Sequence, residues 1–100
     1  MNAQKQCNQV ERDVEKWTEF NENLQIQALG QIPPPFGPVE SLAKKYLKEP
    51  CTILDIGCET GKNAACLIKN GHKVVLLDIA PNAVKYTIEN FKNEGLDHGI

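Results

Sequence analysis

The chain has no long hydrophobic run. Its longest uninterrupted apolar stretch is Val74 to Leu77, far short of the roughly 20 residues that a membrane-spanning helix needs. It has no excess of one charge: a net charge of -2 over 100 residues gives none of the basic footprint that nucleic acid or an anionic membrane requires. The four cysteines (Cys7, Cys51, Cys58, Cys66) form no C-x-x-C pair, and the two histidines, His72 and His98, are not spaced as partners, so neither a metal site nor a disulfide framework is expected. Cys51 and Cys66 read as small apolar side chains in a reducing compartment. The opening MNAQKQCNQ lacks the apolar core of a signal peptide, and the expected location is the cytosol. The lysines Lys44, Lys45 and Lys48 read as a solvated helix face.

What is present is an alternation of textures. From Asn8 to about Leu29, Val10, Val14, Trp17, Asn21 and Leu24 recur by four and three. All but Asn21 are apolar, which predicts an amphipathic helix buried along that stripe. The stretch GQIPPPFGP, Gly30 to Pro38, cannot be helical, because three successive prolines remove donors and fix φ. Pro38 suits the first turn of a second helix, Glu40 complements its dipole, and Val39, Leu42, Tyr46 and Leu47 form its expected buried stripe. Then CTILDI and KVVLLDI appear as two short, nearly continuous apolar runs. NAACLIKN lies between them as a helix closed by Asn70-Gly71, and Pro81 opens a last helix on which Val84, Ile88 and Phe91 share a face. Strands without alternation are expected to be buried on both faces, and helices between them to be crossovers. The fold class is therefore α/β, a doubly wound sheet with parallel strands.

In such sheets ligands sit at the carboxyl ends of the strands. The first strand runs into ILDIGCETGKN and the second ends in VVLLDI, so Asp55 and Asp78 lie at or near those ends. A phosphate-binding P-loop requires G-x-x-x-x-G-K-[ST], but here only three residues separate Gly57 from Gly61, and Asn63 stands where the hydroxyl belongs. A dinucleotide fingerprint requires G-x-G-x-x-G, and from Gly57 its second and third glycines fall on Glu59 and Lys62. Both patterns fail. Taken singly, Gly57 and Gly61 also fit a plain tight turn, and Asp78 also fits a cap for the helix at Pro81.

Apolar-apolar-Asp-apolar-Gly-x-Gly-x-Gly followed by an acid after the second strand is a different pattern. ILDIGCETGKN with GHKVVLLDIAPNAV resembles the class I S-adenosylmethionine-dependent methyltransferases. GKNAACLIKNGHKV and DIAPNAVKY are most similar to their small-molecule branch related to tellurite resistance. The resemblance covers Ile53 to Gly95, and the upstream helices match only in type. It implies a Rossmann-like methyltransferase fold, S-adenosylmethionine as cofactor and a small-molecule methyl acceptor.

Site roles follow from the same resemblance. Asp55 orients the loop or the cofactor's amino group, and Gly57 leaves room for the cofactor. Cys58 offers its backbone, Gly61 packs the next helix on the strand, and Asn63 matches the family's asparagine. Asp78 accepts the ribose hydroxyls and Ile79 lies on the adenine. Two positions depart from the pattern. Ala80 replaces a capping serine, at a cost of ~1 kcal/mol. Glu59 replaces the middle glycine, where a positive φ would cost about 1–2 kcal/mol and its charge would attract the cofactor's sulfonium and ammonium but repel its carboxylate.

The family's sheet resembles a seven-stranded one with the first strand central. Only two of its strands are present, so the expectation is an incomplete fold: residues 1–50 a helical lid or cap, and residues 51–100 the first half of the cofactor-binding domain. Apolar surface and strand edges are expected to stay uncovered unless a longer chain, another chain or a second copy completes the sheet. No catalytic residue can be named. The rival reading is a truncated, inactive, methyltransferase-like interaction module.

Overall fold

The structure, a computed structural model, describes residues 3–100 and the side chains from Asn8 onward. Met1, Asn2 and the Cys7 side chain lie outside the described residues. The element order is α1 (Ala3–Gln27), α2 (Gly37–Tyr46), β1 (Thr52–Ile56), α3 (Lys62–Lys69), β2 (Lys73–Leu77), α4 (Pro81–Glu94) and a short 3-10 turn, Asp97–Gly99. Strands β1 and β2 pair in parallel, with Ile53 opposite Val74 and Asp55 opposite Leu76. Helix α3 is the crossover. This is an α/β Rossmann-like arrangement, incomplete at two strands.

The helices begin and end for local reasons. Prolines sit in the first turns of α2 and α4, where a missing N–H costs no intrahelical bond. Three helices close alike, by a bond from the residue after the turn back to the last helical turn, nested around a left-handed residue. His72 N–H donates to the Leu67 carbonyl around Gly71, and Leu96 N–H to Phe91 around Gly95. At the end of α1, Gly30 N–H donates to Gln25, but here the left-handed position is filled by Leu29, at φ 54°.

The core lies on one side of the sheet. Ala64, Ala65, Leu67 and Ile68 of α3, Val74 of β2 and Phe91 of α4 are buried together, with Ile53 and Leu76 packed against them. The expected burial of both strand faces does not occur. Leu54, Ile56, Val75 and Leu77 are 50% exposed or more, because all four described helices leave that face uncovered and the two strands have nothing else to pack against. The expected buried stripe of α2 is likewise bare at Leu42, Tyr46 and Leu47, and only Ala43 is fully covered. Cys66 is buried as expected, whereas Cys51 is exposed beside His72, whose Nδ1 accepts the Cys51 backbone N–H at 3.2 Å.

Helices α1 and α4 pack on each other, and the faces they bury are polar. On α1, Val10 is 54% exposed while Asn21 is 1% exposed. On α4 the buried positions are Ala83, Thr87, Asn90 and Phe91, with Val84 and Ile88 only half covered. The reason is a set of amide bonds. Gln25 and Asn90 exchange two hydrogen bonds, at 2.8 and 3.1 Å, and Asn82 Nδ2 donates to the Thr18 carbonyl at 2.7 Å. The Gln25–Asn90 pair is buried without the penalty of an unmet donor, while Asn82 Oδ1 is left without a partner among the described residues; these bonds set the rotation of both helices. Leu29, 85% exposed, has no packing to offset its left-handed backbone. Leu29→Gly is expected to raise unfolding stability by about 1 kcal/mol, read as an increase in the urea midpoint at unchanged slope.

Candidate functional site

The loop after β1 is held in place before any ligand is considered. Leu77 carbonyl accepts the N–H groups of Gly57 (2.7 Å) and Cys58 (3.3 Å), and Gly61 N–H donates to the Cys58 carbonyl at 3.0 Å. The backbone takes positive φ at alternate residues: Gly57 at 78°, Glu59 at 50° and Gly61 at 100°. The middle residue thus adopts the conformation for which a glycine is the natural choice. The Asp78 carboxylate crosses from the end of β2 to this loop. Its Oδ2 accepts the Glu59 N–H at 3.1 Å, and its Oδ1 accepts the Ala80 N–H at 2.9 Å in an Asx-type turn that enters α4. Ala80 itself gives α4 no side-chain cap. Each carboxylate oxygen retains a further lone pair for a ligand.

From the other side α4 grips the same loop. Thr87 shares its single hydroxyl proton between the Glu59 carbonyl (3.1 Å) and its own helix at Ala83 (2.8 Å), while Asn90 Nδ2 reaches the Thr60 carbonyl at 3.3 Å. Gly61 is tight for a reason other than the one expected. A Cβ there would come within 2.6 Å of the Phe91 ring and 2.8 Å of Thr87 Cγ2, so it admits α4 to the loop rather than seating α3 on the strand.

A cavity of about 540 Å³ opens at the carboxyl edge of the sheet, in the size range of small-molecule sites. The end of β1 contributes Ile56, Gly57 and Glu59, and the end of β2 contributes Leu77, Asp78 and Ile79. Helix α1 closes one side with Trp17 and Asn21. Trp17 stands edge-on to Phe20, with ring centroids 5.3 Å apart. Of the eight expected site residues, the structure brings Gly57, Glu59, Asp78 and Ile79 to the cavity wall. A Cβ on Gly57 would meet nothing within 4 Å, so the backbone there is open to a close-lying group.

The other four expected residues lie behind the wall. The Cys58 backbone groups are used within the loop, and its buried thiol is pushed up to about 11, first by burial and then by Asp78. It is therefore a neutral thiol at physiological pH and no nucleophile. Asn63 Oδ1 accepts the Phe36 N–H at 3.0 Å and so fastens the proline-rich connector to α3. Gly61 packs on α4. Asp55 shares the covered sheet face with Ile53, and its buried Oδ2 has no hydrogen-bond partner among the described residues. Burial chiefly, then Asp78 and Glu59, raise its carboxyl above the ordinary 3.8. Lys62 approaches Glu59 only at 3.9 Å, so the site keeps an acidic character suited to a cationic ligand.

Asn21 and the amides of α4 did not stand out from the sequence as site or loop contacts. Polar residues at helical spacing look the same whether they face water or a polar interface. The one available signal was Asn21 itself, a polar residue inside an otherwise apolar stripe.

Residues 53–100 match the protein family described as "Methyltransferase domain". Two curated relatives, the ribosomal protein L11 methyltransferases of Thermotoga maritima and Thermotoga petrophila, are each 44% identical to the chain over 55 residues. That stretch is 54% of this chain and 21% of either relative, so the chain spans about a fifth of the length of the curated relatives it matches. A match to an enzyme domain does not favour the reading as a non-catalytic interaction module. No helix among the described residues is long and apolar enough to cross a membrane.

Two substitutions test the electrostatics and strain of the loop. Glu59→Gly is expected to raise stability by about 1 kcal/mol through relief of the left-handed backbone, seen as a higher melting midpoint. Asp55 holds its proton more tightly folded than unfolded, so ionising it as pH rises through its folded pKa lowers stability. Asp55→Asn is therefore expected to stabilise the protein at neutral pH. The gain should shrink as pH falls through the raised pKa and vanish below the ordinary 3.8, measured by denaturant unfolding across an acid-to-neutral series.

Proposed function

We propose that the segment 53–100, which matches the methyltransferase domain family, is the cofactor-binding part of a class I S-adenosylmethionine-dependent methyltransferase, and that the cavity at the carboxyl edge of the sheet is its S-adenosylmethionine site. The observation that carries this reading is the pairing of Gly57 with Asp78 on one cavity wall. A bare backbone stands where a ligand can lie close, beside a carboxylate whose remaining lone pairs suit vicinal hydroxyls.

The residues present fit the cofactor. Asp78 would take the ribose hydroxyls and Ile79 would lie on the base. Glu59 and, from behind the wall, Asp55 would favour the positive sulfonium and ammonium. Glu59 would also repel the cofactor's carboxylate and so weaken binding. When bound, the cofactor supplies a methyl group activated by its sulfonium. The chain's own task is to fix that methyl in one direction, since such transfers gain chiefly from holding nucleophile and methyl in line at close range. Trp17 and Asn21 place α1 over the cavity as a lid would lie. No side chain of the chain is assigned as a base.

The acceptor proposed from the sequence pattern is a small molecule. A protein acceptor is the second reading, carried by the two Thermotoga relatives, which are ribosomal protein L11 methyltransferases. The sheet would be completed by further strands of the same or another chain.

Isothermal titration of the protein with S-adenosylmethionine, and with its demethylated product, tests the cofactor site. Both are expected to bind, and Gly57→Val, which fills the open space beside the backbone, is expected to weaken both at least tenfold. A folded protein that binds neither compound overturns the reading.

A further inference from the structure

Asn21 is 1% exposed and is one of the two residues that α1 gives to the cavity wall. Its amide orientation is decided by chemistry. Nδ2 donates to the Trp17 carbonyl at 2.7 Å, and the flipped amide would set two acceptor oxygens against each other. Oδ1 is therefore the free end, and it is buried with no hydrogen-bond partner among the described residues. A buried acceptor in that state is destabilising; Asp55 Oδ2 and Asn82 Oδ1 share it, and of the three residues Asn21 alone lines the cavity. Trp17 O already lies in helical register with the Asn21 backbone, so a leucine would serve the stripe of α1 better.

The rest of the wall shows what such an atom meets. Its other polar side chains are Glu59 and Asp78, which when ionised only accept, and the Trp17 indole, which only donates. An occupant rich in donors is the one this wall can satisfy. Building on the cofactor reading above, we infer that Asn21 Oδ1 accepts a hydrogen bond from the bound ligand's own hydroxyl or ammonium group, so that α1 is a binding element of the cofactor site and not only its cover. The same bond links occupancy to the placement of α1, because Gln25, one turn further along the helix, is clasped to Asn90 and through it to the Thr60 carbonyl of the loop.

The test compares wild-type, Asn21→Leu and Asn21→Ala proteins by titration with S-adenosylmethionine and with methylthioadenosine, which keeps the ribose and base but lacks the amino acid, together with melting of each protein without ligand. The expected result is a loss of affinity of about tenfold, the worth of one hydrogen bond of 1–1.5 kcal/mol, in both variants. Asn21→Leu should also melt no lower than wild type. Loss for both ligands places the donor on the nucleoside, and loss for S-adenosylmethionine alone places it on the ammonium; either supports the inference. Asn21→Ala is the check on overpacking, since it removes the acceptor without adding volume. Wild-type affinity in both variants overturns the inference and leaves the cofactor reading intact. A clear fall in the melting midpoint of both unliganded variants also overturns it, because Asn21 would then be serving the fold. Failure of the wild type to bind either compound overturns both readings.

Discussion

The carboxylate of Asp78 ties the loop after β1 to the loop after β2, and the rest of the site is arranged around that tie. One oxygen holds the Glu59 N–H and the other the Ala80 N–H, while the neighbouring Leu77 carbonyl holds Gly57 and Cys58. An ionised carboxylate is a strong acceptor of backbone N–H groups, which explains how a loop with three positive-φ residues in five positions keeps one shape. It also explains how Glu59 is accommodated: the backbone strain at φ 50° is opposed by bonds to its own N–H and carbonyl from Asp78 and Thr87.

The second constraint comes from the amide layer between α1 and α4. Gln25, Asn82 and Asn90 bond across it, and each amide that finds its partner fixes the helix rotation more narrowly than an apolar contact would; Asn21 is buried on the same stripe as Val14 and Trp17. This layer reaches the loop at Thr60 and the cavity at Asn21. The position of α1 over the cavity is therefore a consequence of polar pairing.

The uncovered sheet face has a simple physical origin. Parallel strands joined by a crossover put their helix where the right-handed connection leads, and here residues of α2, α3 and α4 pack in one core with Val74 and Phe91. Leu54, Ile56, Val75 and Leu77 face outward because the sheet has two faces and the helices cover one. The same uncovering leaves the cavity flanked by the exposed side chains of Ile56 and Leu77, which contribute apolar wall beside the two carboxylates of Glu59 and Asp78.

How much of this was legible in the chain divides along the range of the forces involved. Local chemistry was readable: prolines opened α2 and α4, glycines closed α3 and α4, β-branched runs made two strands, and the spacing of Gly57, Glu59, Gly61 and Asp78 marked the loop and its acid. These depend on φ, donors and periodicity within a few residues. The side on which a residue ends up was not readable. Asn63 pairs with the connector, Gly61 makes room for Phe91, Cys51 stands exposed beside His72, and Asn21 rather than Val10 is buried. Each of those outcomes depends on an element distant in sequence: the rotation of the helix that carries Asn21 is set by bonds of Gln25 and of the Thr18 carbonyl to a helix some 60 residues on, which no pattern within α1 encodes. The sequence by itself determined which backbone shapes were possible. The tertiary structure decided which polar groups would be paired, and left Asn21 Oδ1, on a residue of the cavity wall, without a partner among the described residues.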